Sequence, residues 1–291
     1  MSAPKMKRAS GERRIARSVG GDIFNSFFLV MFGAFMFLPM LYVINNAFKP
    51  LDELFLFPPR IFVQNPTLDN FLNLSLLMSN TLIPISRYLF NTLSITVIAT
   101  VGQVIIASMA AYPLAKRKFP GNEFYSKLIV NTLMFSSGVT EIPSFIIMAK
   151  LGLIDTHAAI ILPAIGRPLG LYLMKQFMGA IPTTLLEAAR IDGANEWYIF
   201  WRIVMPNVRP AWLTLIIFSI QNLWGVTGGD LLYSEELKTL PYALNQIVSA
   251  GLVRAGASAA VSVLMMIVPI AVFIITQSNI IETMTSSGIK E

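Results

Sequence analysis

The sequence predicts an all-α integral membrane protein: six transmembrane helices, with a polar helix-turn-helix between the fourth and fifth. Three observations carry this. The chain of 291 residues is 55% hydrophobic and 13% charged, with a mean hydropathy of +0.64, where a soluble domain holds about 25% charged residues. Its apolar residues fall into six runs on the scale of the about 20 residues a bilayer requires, the fifth being the shortest. Its net charge of +6 is gathered at the ends of those runs, where membrane topology uses basic residues, and this pattern argues against nucleic acid as a partner.

Composition also removes several chemistries. With no cysteine there is no disulfide, thiolate catalyst or Cys-based metal site. A single histidine, His157, leaves no basis for a His-rich metal site or a Ser-His triad. No Gly-x-x-x-x-Gly-Lys-Ser/Thr, His-Glu-x-x-His or Gly-x-Ser-x-Gly string occurs. Without the first of these strings the chain cannot cradle nucleotide phosphates by a P-loop.

The segment 1–22 is polar and basic, with Lys5, Lys7, Arg8, Arg13, Arg14 and Arg17, and is expected on the cytoplasmic side. The first span, Ile23 to Ala47, exceeds a signal-peptide core and is expected to be retained. It forms one unit with a Pro-rich, strand-poor external loop through residue 85, and a core domain is expected over 86–281. Within the core, the second span covers Tyr88 to Leu114, followed by the basic turn Lys116–Asn122. The third, Lys127 to Lys150, carries Asn131, Ser136, Ser137, Gly138, Thr140, Glu141 and Pro143, so it should line protein or water rather than lipid alone. The fourth, His157 to Met178, is interrupted by Pro163, Gly166, Arg167 and Pro168. The fifth, Pro210 to Trp224, contains Gln221 and Asn222. After an amphipathic stretch from Gly225 to Ser258 comes the sixth, Ala259 to Ile281, and a cytoplasmic tail, 282–291.

Residues 182–210 read as two short helices around a corner. Thr184 and Glu187 have capping-box spacing, Gly193 is placed to end the first helix in the left-handed region, Asn195 can cap the second, and Pro206 is expected to limit it. The lysine and arginine bias puts this knob, and both termini, in the cytoplasm.

The string Glu187-Ala188-Ala189, Asp192-Gly193-Ala194, then Phe200, Ile203 and Met205-Pro206, resembles the EAA loop of ABC importer permeases. It is most similar to the carbohydrate-uptake group, typified by the smaller permease of the maltose transporter. The one departure is Met205, where Leu usually precedes the proline. The likeness extends from about Asn91 to the C-terminus; before that only hydropathy matches. The resemblance implies an inner-membrane permease subunit, without its own ATPase site, that imports a sugar or oligosaccharide. It implies as partners a second related permease, a dimer of cytoplasmic ABC ATPases that bind ATP and Mg, and an external solute-binding protein. It further implies that Glu187, Ala188, Ala189, Asp192, Gly193, Ala194 and Pro206 form the ATPase-coupling surface, with no cofactor in this chain.

Candidates for the substrate path are the polar intramembrane residues Asn131, Ser136, Ser137, Glu141, Arg167, Gln221 and Asn222, with Trp224 beside them. Each has a plainer role available. Glu141 couples protons or accepts from sugar hydroxyls, or is solvated or paired near the outer end of its span. Arg167 meets an acidic substrate or a neighbouring carboxylate. The amides and hydroxyls meet a sugar or join helices, and Trp224 stacks on a sugar or anchors at the interface. The rival to the ABC reading is an ion-coupled secondary transporter using Glu141 and Arg167.

Overall fold

The structure, a computed structural model, describes residues 19–79, 83–135, 137–249 and 251–287, and no strand occurs among them. The basic segment 1–18, Ser136 and the last four residues of the tail lie outside the described residues. Helix α1 (Val19–Phe48) is followed by two short helices, α2 (Leu51–Leu54) and α3 (Asp69–Ser79), and then by α4 (Ile85–Lys116). The next four are α5 (Asn122–Leu133), α6 (Ser137–Lys150), α7 (Ala158–Ile165) and α8 (Pro168–Gly179). The knob holds α9 (Thr183–Ile191) and α10 (Glu196–Tyr198), which runs on through a π-helical stretch, Ile199–Val204, into α11 (Met205–Asn207). Helices α12 (Arg209–Trp224), α13 (Leu240–Val248) and α14 (Ala255–Ser287) complete the described chain.

Among the described residues, four segments are long and apolar enough to cross a membrane: Gly20–Phe48, Ile85–Lys116, Ala158–Gly179 and Ala255–Gln277. The number reaches six when two bent pairs, α5 with α6 and the Glu196–Asn207 rod with α12, each count as one. The expected continuous third span is therefore broken. The end of α5 tightens into i→i+3 bonds, from the Met134 and Phe135 amides to the Asn131 and Thr132 carbonyls, at 3.1 and 3.4 Å. The sequence that follows, Ser136-Ser137-Gly138, has poor helix propensity.

Helix α4 is the centre of the fold and is amphipathic in the inverted sense. Its buried face carries Asn91, Thr92, Thr96, Thr100, Gln103 and Ser108 among alanines, all recurring at about four-residue spacing. Its exposed residues include Leu89, Phe90, Val97, Ile98, Val101 and Ile106. Small side chains let neighbouring helices approach closely, and hydroxyls bond between or within them. Thr100 Oγ1 donates to Ser219 Oγ on α12 at 3.0 Å. Gly170 on α8 is needed for closeness: a Cβ there would lie 3.1 Å from both Gln103 Nε2 and a Leu215 methyl. In contrast, α1 leaves nearly all of Ile23 to Leu38 exposed and polar contacts few.

The segment between α1 and α4 is not the irregular loop expected from its prolines. Asn70, 2% exposed, donates to the carbonyls of Ala47 and Lys49 at 2.9 and 2.7 Å. The buried Glu53 accepts from the Gln64 amide at 2.7 Å, and Asn45 from that of Val63 at 3.1 Å. Side chains here satisfy backbone groups that a sheet or long helix would otherwise satisfy, which lets α2 and α3 fold against the end of α1.

Candidate functional site

The knob is built around two helix ends. At the first, Pro182 is the residue before α9, with φ −60° and ψ 133°, and no side chain caps the helix. The expected capping box is thus corrected: Pro182, its φ fixed by the ring, starts the helix two residues earlier than expected. Thr184 and Glu187 lie too far along it to exchange bonds with a cap. At the second end, Gly193 adopts φ +84°. The Gly193 amide donates to the Arg190 carbonyl and the Ala194 amide to that of Ala189, both at 3.0 Å. These 5→2 and 6→1 bonds make a Schellman motif, which satisfies two helix-terminal carbonyls and turns the chain sharply. Asn195 Oδ1 then accepts from the Tyr198 amide at 2.8 Å, capping the next helix.

Pro206 does not limit that helix, which is a second correction. The chain stays helical from Glu196 to Asn207 and bends by 76° only at Val208. Pro206 has no N–H and its ring crowds the carbonyl four residues back. The wide π-turns of Ile199–Val204 make room for that ring without breaking the rod.

Beneath the knob lies an apolar core of Leu186, Ile199, Phe200 and Val204 against Ala111, Met174 and Met178 of α4 and α8. Phe200 packs against Tyr112 at a tilt of 57°, with ring centroids 5.7 Å apart. On the outside, Glu187, Ala188, Asp192 and Gly193 are exposed, and Ala189 and Ala194 half-buried. Ile191, 86% exposed, stands among them, with Trp197 and Tyr198 also exposed. Among the described residues, Glu187 and Asp192 make no side-chain hydrogen bond or ion pair. This is a rigid base carrying an unpartnered face of mixed apolar and acidic character.

A cavity of about 720 Å³ lies at the other end of the fold, between α6, α7 and the chain after α12. Glu141, Arg167 and Asp230 line it together with Ser144, Thr227 and Phe145. Arg167 is placed there by the break between α7 and α8, where it is extended (φ −60°, ψ 127°) and precedes Pro168.

Residues 88–285 match the family model described as the binding-protein-dependent transport system inner membrane component. The chain belongs to that family. It is 33% identical over 230 residues to Protein LplC of Bacillus subtilis (strain 168), covering 76% of this chain and 72% of that protein. It is 30% identical over 277 residues to the arabinooligosaccharides transport system permease protein AraQ of Halalkalibacterium halodurans, covering 87% and 90%. In fold it is similar to a chain of a bacterial ABC transporter involved in import of the acidic polysaccharide alginate. That likeness has a TM-score of 0.75 at 22% identity, over 90% of this chain and 98% of the other. Family and apolar helices together make this a multi-pass inner-membrane transport component.

Of the path residues predicted for this inner-membrane component, the fold brings Glu141 and Arg167 into one cavity. Asn131, Gln221 and Asn222 are exposed and are not among the cavity's lining, and Asn222 Nδ2 bonds back to the Phe218 carbonyl at 2.7 Å. Ser136 lies outside the described residues; of Ser137 the backbone places it first in α6. Trp224 neither stacks in the cavity nor anchors at an interface: it is 5% exposed and its indole donates to the Met265 carbonyl of α14 at 3.0 Å.

Sequence reading missed the polar groups that hold the ends of α4. At the knob end, Glu196 accepts from Arg190 Nε at 2.9 Å and Tyr112 Oη at 2.8 Å, and pairs with Arg117 Nη2 at 2.5 Å. Burial pushes its pKa up, but the bonds from Arg190, Tyr112 and Arg117 outweigh this and hold it at about 2. At the cavity end, the fully buried Asn91 donates to the carbonyls of Glu236 and Lys238 at 2.8 and 2.9 Å. Asp155, held below the usual carboxylate range by the Ser234 hydroxyl and amide, also accepts from the Tyr233 amide at 2.8 Å. One signal was available in the sequence, the four-residue recurrence of Asn91, Thr96, Thr100, Gln103 and Ser108. For Glu196 there was none, since its partners on α4 are distant in the chain.

Proposed function

We propose that this chain is one of two permease subunits that together form the path for ATP-driven import of a sugar or oligosaccharide. In this reading an external solute-binding protein delivers the cargo, and a dimer of ATPases, binding ATP and Mg, seats against the knob on the cytoplasmic side. The observation that carries it is the knob itself. Glu187, Asp192 and Ile191 form an open, unpartnered face around the left-handed Gly193, on a base too well packed to be a loose loop. Ala188 and Ala189 are small enough to let another surface approach their helix.

Cargo class is supported by the relatives. AraQ is named for arabinooligosaccharides, and a further relative from Bacillus subtilis, 33% identical over 223 residues, for polygalacturonan and rhamnogalacturonan. The cavity offers carboxylates to accept from hydroxyls at Glu141 and Asp230, and a guanidinium donor at Arg167. The lysine and arginine bias supports a cytoplasmic knob and cytoplasmic chain ends, an orientation in which the cavity faces the outer side.

The test is Gly193→Asp, examined in the assembled transporter reconstituted with its binding protein. The new carboxylate has to be desolvated against the ATPase, which is the main cost, since aspartate, like asparagine, tolerates the left-handed backbone better than other side chains. Insertion should persist while ATPase co-purification weakens or hydrolysis no longer drives uptake. Normal association and uptake would remove the knob from the coupling role. Uptake driven by an ion gradient without ATP would overturn the whole reading in favour of Glu141 and Arg167 as ion-coupling groups.

A further inference from the structure

The end of α4 grips the knob from both sides. On the entry side Lys116 Nζ donates to the Gly179 carbonyl at the end of α8, at 2.9 Å, and to the Ile181 carbonyl in the link to α9. On the exit side Tyr112 and Arg117 hold Glu196, which in turn holds Arg190 near the end of α9. Three residues within six positions of one helix end thus bond to both flanks of the helix-turn-helix and, through Glu196, to its first helix. The apolar contact of Tyr112 with Phe200 adds a third attachment between them.

We infer that Glu196 is a positioning residue for coupling: with Lys116, it makes a polar clasp that ties the knob to α4, so that a push on the knob moves α4 as one body with it. This rests on the proposed coupling role of the knob and names the route its motion takes into the membrane. The chemistry suits a mechanical tie. A single bond between exposed charges contributes little, but Glu196 bridges partners from α4 and α9 at once, and its carboxylate remains charged throughout the physiological range because it titrates at about 2. Arg117 and Arg190 present planar donors to the same oxygen, which fixes direction as well as distance. The other flank is held at carbonyl acceptors of the main chain, whose positions are fixed by the backbone. Helix α4 then carries movement to its opposite end, where Asn91 and Thr92 hold the chain at 236–240 beside the cavity.

Glu196→Gln keeps the side-chain shape and removes the charge; Arg117→Gln removes the charged contact at the end of α4 and leaves Tyr112 and Arg190 on Glu196; Glu196→Asp restores the charge. Each is assembled with the partner subunits in proteoliposomes, and cargo moved per ATP hydrolysed is measured beside ATPase co-purification. Co-purification should be unchanged for all three, because the exposed docking face is untouched. Cargo per ATP should fall about fivefold for Glu196→Gln, the factor equivalent to roughly 1 kcal/mol of lost pairing, fall less for Arg117→Gln, and recover in part for Glu196→Asp. An unchanged ratio in both glutamine variants would overturn the clasp. So would loss of ATPase association at an unchanged ratio, which would place Glu196 in the docking face. If Glu196→Gln does not assemble, Arg117→Gln alone decides by the same two readouts. A wild-type complex with no ATP-dependent uptake would instead reject the importer reading beneath the clasp.

Discussion

At Gly193 a Cβ would meet no atom within 4 Å, yet φ is +84°. A side chain there is opposed by torsion and not by sterics, so substitutions should rank by their tolerance of the left-handed region. Gly193→Ala is expected to cost on the order of 1 kcal/mol and Gly193→Asn less, because asparagine visits that region more readily. Thermal melting of the solubilised protein measures the difference, and equal losses would mean that strain is not what matters. Glu196 makes a pH prediction of definite sign. Its folded pKa of about 2 lies below the ordinary carboxylate value of 4.5. Its contribution is therefore present above pH 4.5 and lost as pH falls from there towards 2. The melting difference between wild type and Glu196→Gln should be flat from pH 5 to 8 and shrink on acidification; a difference that varies across the neutral range would point to another group. The residue-level reading of the knob was legible where it rests on a single residue, as with the backbone of Gly193 and the side chain of Asn195. It failed where two local rules competed, as Pro182 displaced Thr184 at the start of α9.

Among the elements, α4 shows what hydropathy conceals. An apolar run announces a span, but lipid and protein neighbours are both apolar environments, so the run does not say which face is which. The polar recurrence from Asn91 to Ser108 does, since hydroxyl and amide groups avoid lipid. Replacing Asn91 by leucine is expected to strip the Glu236 and Lys238 carbonyls of their donor and cost about 1–3 kcal/mol, read as lowered melting temperature and faster proteolysis after residue 236. Thr100→Val should cost far less, near the 0.6 kcal/mol typical of such bonds between membrane helices. Comparable losses for the two would mean that α4 is held by shape alone. The breaks in α5–α6 and at Val208 were less legible, because a span's length and composition are unaffected by a bend within it.

For the molecule as a whole, the absence of native cysteine makes topology directly testable. Single cysteines at Asn122 and Asn195 should be shielded from an impermeant reagent applied to intact cells, and those at Asn65 and Ser234 should react. Labelling of Asn195 from outside would invert the orientation and remove the knob from the ATP side. The fold class and the knob were visible in the sequence because bilayer thickness and helix caps act locally. The cavity was visible only as scattered residues, since the meeting of Glu141, Arg167 and Asp230 depends on how three separate segments pack.

The inverted face of α4 has a thermodynamic consequence. Where α4, α8 and α12 meet, the surfaces they cover come largely from lipid rather than from water. Separating these helices within a bilayer exposes little new apolar area to water, and that exposure is the source of the large heat-capacity change of unfolding in soluble proteins. Stability against helix separation should therefore vary with temperature almost linearly, without the curvature that brings cold denaturation. Folded 48–79 and the knob, expected to lie outside the bilayer, should keep that curvature, so chilling would loosen the polar ends of the molecule before its apolar centre.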